Sequence, residues 1–379
     1  MRVLHLVKTS IGATWAYRQM RELAKLGVEV HVALPPGGPL IPAYLQANVT
    51  VHPYNFDLPM KTPWDWPGLF QQFRSLIRVI QPDLVHSHFV GTTLTMRLAL
   101  GRAHPLPRVF QIPGPLHLEH SLLRLGETFL AGPADYWVGS CRWTQRRYLQ
   151  AGISPRRVFL SYYGTDLEDF AHSETGNLRR EIGVHRDTPL VGMVAYMYGP
   201  KRFLGQRRGL KGHEDLIDAL ALGFQHNDSM RGVFIGGAWG SPSLAYEHRV
   251  RRYGRQKCGA RVFFLGTRHD VRDLYPDLDV AVHPSLSENV GGAVESLLSG
   301  IPTIATAVGG LPDLVTNHKT GWSVPPRSPA LLAEAILAAL ANPPKAHAMA
   351  QAGQERARHL FDVKSTSKQV YQIYRNLIS

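Results

Sequence analysis

Two glutamates that flank a glycine pair are the residues of this sequence best suited to chemistry. Glu288 and Glu295 follow an apolar run that ends at His283. Carboxylates accept hydrogen bonds from hydroxyl groups, whereas adjacent glycines let backbone N–H groups approach an anion at the start of a helix. The segment between the glutamates begins Asn289, Val290, Gly291, Gly292. Because carboxylates repel phosphate unless they bind hydroxyls, the pattern predicts a ligand that carries both sugar hydroxyls and phosphate.

Short apolar runs alternate with amphipathic helical stretches along the chain. One series of predicted strands covers 3–7, 28–34, 84–87, 109–112, 136–139 and 158–160, and a second covers 190–195, 232–235, 262–265, 280–283, 303–305 and 322–324. Apolar strands joined by helices predict parallel sheets that are covered on both faces. We therefore expect an α/β protein of two doubly wound domains with a cleft between them and ligands at the carboxyl ends of the strands.

Composition bounds the class of protein and of partner. The 379 residues are 44% hydrophobic and 19% charged, which excludes a disordered or fibrous chain and favours two domains. The net charge of +13 favours anionic partners: nucleotides, phosphates, nucleic acid or an acidic membrane surface. Two distant cysteines, an apolar start too short for a signal peptide and no stretch long enough to span a membrane predict a cytoplasmic protein.

Residues 283–313 resemble the donor-binding signature of retaining glycosyltransferase family 4, which has the GT-B fold. The segment contains the two glutamates around the glycine pair, Gly-Ile-Pro-Thr-Ile-Ala-Thr at 300–306 and Val-Gly-Gly at 308–310. The family usually has one residue more between its glutamates than this chain. Weaker likenesses occur in the family's order at Gly12, 82–88, 114–117, 163–166, 262–266 and 320–322.

The resemblance implies roles for the residues around the donor sugar and the nucleotide. Glu288 would hold donor sugar hydroxyls near the reacting carbon, and Glu295 would hold the ribose. Gly266 belongs to the loop that resembles the family's base-contacting loop, and Asn289 and Val290 would line the same site. His117 stands at the position of the family's active-site histidine and would contact the donor sugar or the transferred oxygen.

The resemblance also implies how the diphosphate is held. The family has an arginine and a lysine after the first strand of the second domain, and here the lysine is Lys211, while Met193 stands where the arginine is expected. We expect one cation of the intervening loop to replace that arginine, with Arg208 first because it is nearest Lys211 and because an arginine fork suits a diphosphate. The other cations of the loop are Lys201, Arg202 and Arg207, and the backbone N–H groups expected to assist are those of Gly12, Gly291 and Gly292.

The function implied by the resemblance is sugar transfer with retention of anomeric configuration and without a metal or other cofactor. Residues 1–185 would form the acceptor-side domain, 186–355 the donor-binding domain, and 356–379 a helix that crosses back to the first domain. The expected partners are a UDP- or GDP-linked sugar, a hydroxyl acceptor such as a lipid-linked glycan of a polysaccharide or glycolipid pathway, and an anionic membrane surface contacted peripherally. No nucleic acid partner is expected.

Two other functions stay open on the sequence. The first is a nucleotide-sugar epimerase of the same fold, which would convert its donor without an acceptor. The second is a non-catalytic polyanion-binding protein that uses the basic run 248–261. The spacing of His117, Glu119 and His120 resembles a metal site only superficially, because no clear third ligand accompanies it. A basic and aromatic face that could meet membrane headgroups comprises Arg142, Trp143, Arg146, Arg147 and Tyr148.

Overall fold

The computed structural model describes residues 1–170, 176–201 and 205–378. Its strands are β1 Arg2–Leu6, β2 Glu29–Ala33, β3 Thr50–His52, β4 Leu84–Ser87, β5 Arg108–Gln111, β6 Asp135–Gly139, β7 Val158–Leu160, β8 Leu190–Val194, β9 Arg231–Ile235, β10 Val262–Gly266, β11 Val280–His283, β12 Thr303–Thr306 and β13 Trp322–Val324. All of these strands except β3, which the sequence argument did not predict, fall where the apolar runs of the sequence predict them.

The helices lie between the strands and at the carboxyl end of the chain. They are α1 Thr14–Lys25, α2 Ile41–Gln46, α3 Trp66–Ile80, α4 Val90–Leu100, α5 Leu116–Glu119, α6 Ser121–Phe129, α7 Arg142–Gln150, α8 Asn177–Glu181, α9 His213–Gly223, α10 Leu244–Cys258, α11 Val271–Leu274, α12 Ala293–Leu298, α13 Leu311–Leu314, α14 Pro329–Ala341, α15 Pro343–Phe361 and α16 Val363–Ile378. None of these described helices is both long and apolar enough to cross a bilayer.

The first compact unit comprises 1–166 together with 360–379. Its seven strands form one parallel sheet in the order β3-β2-β1-β4-β5-β6-β7. Both faces of its strands are covered by helices, so that Val3, Leu4 and Leu6 are completely buried. Helix α16 packs on α1, and its buried Tyr374 bonds through the hydroxyl to His86 of β4. The expectation that the last helix packs back on the first domain is confirmed.

The second compact unit comprises 167–359. Its six strands form a parallel sheet in the order β10-β9-β8-β11-β12-β13. Helix α8 belongs to this unit, because its Leu178 is buried in the core of the unit. The predicted pair of doubly wound domains is therefore present in the chain.

Candidate active site

A cavity of about 290 Å³ opens in the second unit at the carboxyl ends of β8 and β11. The strand order reverses between these two strands, and such reversal points are where open parallel sheets bind ligands. The cavity is lined by Met193, Val194, Ala195, Tyr196, Tyr198, Lys211, Ile235, Gly236, Thr267, Arg268, Val271, His283, Ser285, Glu288, Gly292 and Glu295. Both glutamates singled out by the sequence and its lysine therefore lie in one site.

Glu288 lies in the loop between β11 and α12, and three groups hold its carboxylate. Lys211 Nζ forms an ion pair with Oε2, and Ser285 Oγ donates a hydrogen bond to the same oxygen at 3.3 Å. The Asn289 N–H donates to Oε1 at 3.0 Å. Gly309, with φ of +53°, lets the neighbouring turn pass close by, because a Cβ there would lie 1.6 Å from the Glu288 carbonyl oxygen. The carboxylate is thus fixed in position with 12% of its side chain exposed.

Lys211 reaches this carboxylate because the chain turns sharply before α9. Gly212 has φ of +75°, and a Cβ at that position would lie 2.0 Å from the Pro284 carbonyl oxygen. Only glycine allows the two loops to approach this closely. Lys211 Nζ also lies 5.9 Å from the ring centroid of Tyr198. Burial, and next the charge of Glu288, raise the pKa of Tyr198 to about 12, so this phenol stays protonated at neutral pH.

The second glutamate lies in the first turn of α12, which begins directly after Gly292. Tyr275 Oη lies 3.5 Å from Glu295 Oε2 and donates to the Gly292 carbonyl oxygen at 3.3 Å. Burial, followed by the nearby Glu295 carboxylate, holds the pKa of Tyr275 well above its ordinary value. Asn289 and Val290 are not among the residues that line the cavity. Gly292 and Glu295 thus form one wall of the site, whereas Gly291 is not among the lining residues.

Arg208 is not among the residues that line the cavity. Its guanidinium pairs with Asp215, and its Nη2 lies 2.8 Å from Asp218, so two carboxylates of α9 satisfy its charge. Lys201 is exposed and does not line the cavity either. The sequence argument for Arg208 did not take account of these two aspartates, and its contact with the diphosphate stays a prediction. Arg202, the other early cation of this loop, lies outside the described residues.

Arg268 is a cavity residue that the sequence argument missed. It follows β10, and its Nε and Nη2 reach Asp270 at 2.8 and 2.6 Å, while Nη1 reaches Glu181 at 2.6 Å. The sequence feature that could have identified Arg268 is its position two residues after Gly266. This glycine ends β10 with φ of +75°. Gly266 itself lies outside the lining, and its carbonyl oxygen accepts a bond from the Gly236 N–H at 2.7 Å.

The sequence argument expected an arginine at the position of Met193, and Tyr196 follows three residues later. Met193 lies within β8 with 2% of its surface exposed and packs in the core cluster of the second unit. Tyr196 stands beyond the strand end, lines the cavity and packs edge-to-face on Trp239 with ring centroids 4.9 Å apart. The end of β8 therefore presents an aromatic ring to the cavity.

His117 and Gly12 belong to the first unit. Gly12 lies in the turn between β1 and α1. His117 lies in α5 with 7% of its surface exposed, and its Nε2 is 3.1 Å from the hydroxyl of Tyr148. Burial lowers the pKa of His117 to about 4, so the imidazole is neutral at pH 7 and acts through hydrogen bonds rather than charge. Tyr148, placed by the sequence on a surface face, is fully buried.

Three completely buried histidines, His5, His86 and His88, form a candidate metal centre in the first unit, because one nitrogen of each lies within 4.8 Å of the others. His5 Nδ1 lies 2.9 Å from His88 Nε2, and His88 Nδ1 lies 2.7 Å from the hydroxyl of Tyr163. Burial lowers the pKa of all three, and His86 and His88 stack with centroids 4.2 Å apart. These rings bond one another and two tyrosine hydroxyls inside the core of the first unit.

Comparison with known proteins assigns this architecture to a family. Residues 12–169 match the family described as Glycosyltransferase Family 4, and residues 202–356 match Glycosyl transferases group 1. The first match falls on the first unit and the second match on the second unit, in the domain order that the resemblance implies. The chain is a family 4 glycosyltransferase. Its parallel sheets are those of the GT-B fold, and the resemblance drawn from residues 283–313 is confirmed.

Curated relatives of this glycosyltransferase include two D-inositol 3-phosphate glycosyltransferases. The one from Kribbella flavida is 26% identical and covers 94% of this chain and 88% of its own length. The one from Mycobacterium tuberculosis strain H37Ra is 27% identical and covers 94% and 76%. Both alignments extend over nearly the whole glycosyltransferase.

Solved structures show the same fold. The Anabaena protein Alr3699/HepE, crystallised in complex with UDP, superposes with a TM-score of 0.82 at 22% identity, covering 99% of this chain and 100% of that one. Sucrose-phosphate synthase from Thermosynechococcus elongatus gives a TM-score of 0.79 at 20% identity, covering 100% and 99%. At these identities the likeness establishes the GT-B architecture of the glycosyltransferase.

Proposed function

We propose that the protein transfers a sugar from a nucleotide-sugar donor to a hydroxyl acceptor with retention of anomeric configuration and without a metal. The observation that carries this proposal is the pairing of Lys211 with Glu288 inside the cavity at the ends of β8 and β11. A cation beside a carboxylate suits a ligand that offers a diphosphate to one and sugar hydroxyls to the other.

The chemistry of the cavity walls supports the following proposed position of the donor. Glu288 accepts bonds from donor sugar hydroxyls, and Glu295 accepts from ribose hydroxyls. Lys211 faces the diphosphate, with the backbone N–H groups of Gly291 and Gly292 beside it, and these groups stabilise the charge that grows on the leaving phosphate. Arg268 adds a second cation to the site, so the proposed mechanism needs no metal.

Transfer with retention follows if the acceptor attacks from the face that the phosphate leaves. The bond between the anomeric carbon and the phosphate oxygen breaks, the acceptor oxygen bonds to that carbon, and the acceptor proton passes to the departing phosphate. This route asks for no protein base, which agrees with a His117 imidazole that donates or accepts one hydrogen bond while neutral. His117 is proposed to contact the donor sugar or the transferred oxygen.

The identity of the partners is proposed from the relatives. The Anabaena neighbour was crystallised with UDP and with UDP-glucose, which supports a UDP-linked donor over a GDP-linked one. The inositol phosphate glycosyltransferases support a hydroxyl acceptor that also carries phosphate. We propose a lipid-linked glycan acceptor in polysaccharide or glycolipid synthesis at the cytoplasmic face of a membrane, with no cofactor and no nucleic acid partner.

The test begins with binding. Thermal unfolding is followed with UDP, GDP and their sugars, because a ligand of the native state raises the melting temperature. The preferred donor is then incubated with candidate hydroxyl acceptors in the presence of EDTA, and the anomeric configuration of the product is determined by NMR.

Each alternative has its own result in the same assays. A new sugar isomer formed without acceptor would establish an epimerase. Salt-sensitive binding to heparin without any nucleotide-sugar affinity would establish a polyanion-binding protein. An inverted product would overturn the proposed stereochemistry, and loss of activity in EDTA would overturn the metal independence.

A further inference from the structure

A groove of about 520 Å³ opens in the first unit between the loop that follows β3 and the start of α3. Trp64 lines it with 73% of its surface exposed, although tryptophan is largely buried in most folded proteins. The hydrogen-bonding side chains of the walls are two carboxylates and two amides, those of Asp57, Asp65, Asn55 and Gln72. An aromatic face beside a few polar groups in a concave surface is typical of sites that bind small polar molecules.

The loop that contains Trp64 is held by its own contacts and by its composition. Trp66 Nε1 donates a hydrogen bond to the Pro59 carbonyl oxygen at 3.0 Å. Proline stands at 59, 63 and 67, and each of these rings restricts the φ angle of the backbone. An aromatic ring on such a restricted loop loses little conformational entropy when a ligand binds to it.

The inner end of the groove lies at the carboxyl edge of the first sheet. A Cβ on Gly91 would lie 1.8 Å from Asp57 Oδ1, so this carboxylate sits against the start of α4, the helix that follows β4. Burial raises the pKa of Asp57, and the charge of Lys8, two residues beyond β1, opposes this rise. The strand order of the sheet reverses between β1 and β4, and open parallel sheets bind ligands at such reversals. The groove therefore extends outward from the expected binding edge of the first unit.

The charges of the groove select against anions. Its charged wall residues are Asp57 and Asp65, and the lining that the structure describes contains no lysine or arginine, although the chain has a net charge of +13. These carboxylates would repel a phosphate group, whereas they accept hydrogen bonds from hydroxyl groups. Among the described residues, neither belongs to a group of side chains that could hold a metal ion. The walls therefore suit a neutral ligand that is rich in hydroxyl groups.

We propose that this groove binds a pyranose ring of the acceptor glycan, an inference that rests on the proposed function. A pyranose has an apolar face of C–H groups and a rim of hydroxyls, so the face stacks on Trp64 while the rim donates to Asp57 and Asp65. The amides of Asn55 and Gln72 can both donate to and accept from the remaining hydroxyls. Because Trp64 lies at the outer part of the groove, the ring that it binds is a sugar of the acceptor chain other than the one that reacts.

The experiment is saturation-transfer NMR of the full chain with four neutral trisaccharides: maltotriose, cellotriose, mannotriose and chitotriose. We expect at least one of them to bind, and Trp64→Ala to lower its affinity by about tenfold because the stacking surface is lost. Trp64→Phe keeps an aromatic face and should retain most of the affinity. Phe129→Ala, which removes an aromatic side chain that is 65% exposed on α6 of the same unit, is the matched control and should bind like the unchanged protein.

The polar walls are tested in the same assay. Asp65→Asn should weaken trisaccharide binding about threefold or more, because one strong acceptor of hydroxyl hydrogen bonds is lost. Asp273→Asn, a change of the same kind at an exposed position of α11, should leave the affinity as it was.

Three results would each refute the subsite: no trisaccharide binds the unchanged protein, Trp64→Ala binds it equally well, or inorganic phosphate displaces the bound trisaccharide. Thermal stabilisation by UDP separates these results from a failure of the proposed function. If UDP stabilises the protein and Trp64→Ala alike while no trisaccharide binds, the subsite alone is wrong. If a trisaccharide binds through Trp64 while neither UDP nor GDP stabilises the protein, the groove binds glycans but the proposed sugar transfer is wrong.

Discussion

Lys211 and Glu288, 77 residues apart in the chain, form an ion pair in the cavity of the second unit. A bound nucleotide sugar would separate the two groups, because its diphosphate would attract the lysine and one of its sugar hydroxyls would bond the carboxylate. The ion pair compensates the charges of both partly buried groups. Under the proposed function, binding of the donor would exchange partners at positions that already exist in the fold.

Replacing Glu288 by glutamine should reduce sugar transfer by about 100-fold or more while the fold persists, because a neutral amide stabilises developing positive charge on the sugar less well. Initial rates at saturating donor and acceptor measure the effect, and the melting temperature monitors the fold. The exposed Glu334→Gln on α14 is the matched control and should act like the unchanged enzyme. Full turnover by Glu288→Gln would refute the assigned role.

Replacing Lys211 by alanine should weaken binding of UDP about tenfold to 100-fold, because one charge-assisted contact to the diphosphate is lost. Calorimetric titration measures the affinity. Lys211→Arg should restore part of it, and Lys345→Ala, an exposed lysine of α15, should leave it unchanged. Uridine, which has no phosphate, should bind the alanine variant and the unchanged protein alike, and a loss of uridine affinity would contradict a phosphate contact.

The sequence predicts the elements of the fold more completely than the partners of single side chains. The apolar strands and the glycine turn at 291–292 are local signals, and both domains follow from the strands, whereas the ion pair of Lys211 with Glu288 is seen only in the structure. The sequence argument for Arg208 rested on its proximity to Lys211 in the chain, which says nothing of its ion pairs with Asp215 and Asp218 of α9.

Arg208 and Arg268 should therefore respond differently to replacement by alanine. Arg268→Ala should lower nucleotide affinity about threefold to tenfold, because Arg268 is the second cation of the cavity. Arg208→Ala should leave that affinity within about twofold and lower the melting temperature, because the buried Asp215 loses its partner. Titration calorimetry and thermal unfolding of both variants test this prediction. A loss of nucleotide affinity in Arg208→Ala but not in Arg268→Ala would instead support Arg208 as the diphosphate contact.

Stability should fall in mild acid because several buried histidines are neutral in the folded protein. Burial lowers the pKa of His117, His213 and His283 from 6.5 to about 4. The unfolded chain takes up protons below pH 6.5, whereas the folded chain does so only near pH 4, so this source of stability is complete above about pH 6.5 and is lost between those values. From pH 7.5 to pH 5 each such group costs on the order of 2 kcal/mol.

Urea unfolding, followed by the fluorescence of the second unit, measures the free energy of unfolding at these two pH values. His213→Gln should flatten the pH dependence, because that position no longer binds a proton when the chain unfolds. His185→Gln is the control, since His185 is exposed and its replacement should leave the slope as it was. An equal free energy of unfolding of the unchanged protein at both pH values would contradict this prediction. It would mean that solvent reaches these imidazoles in the folded protein and that β11 and α9 do not bury them.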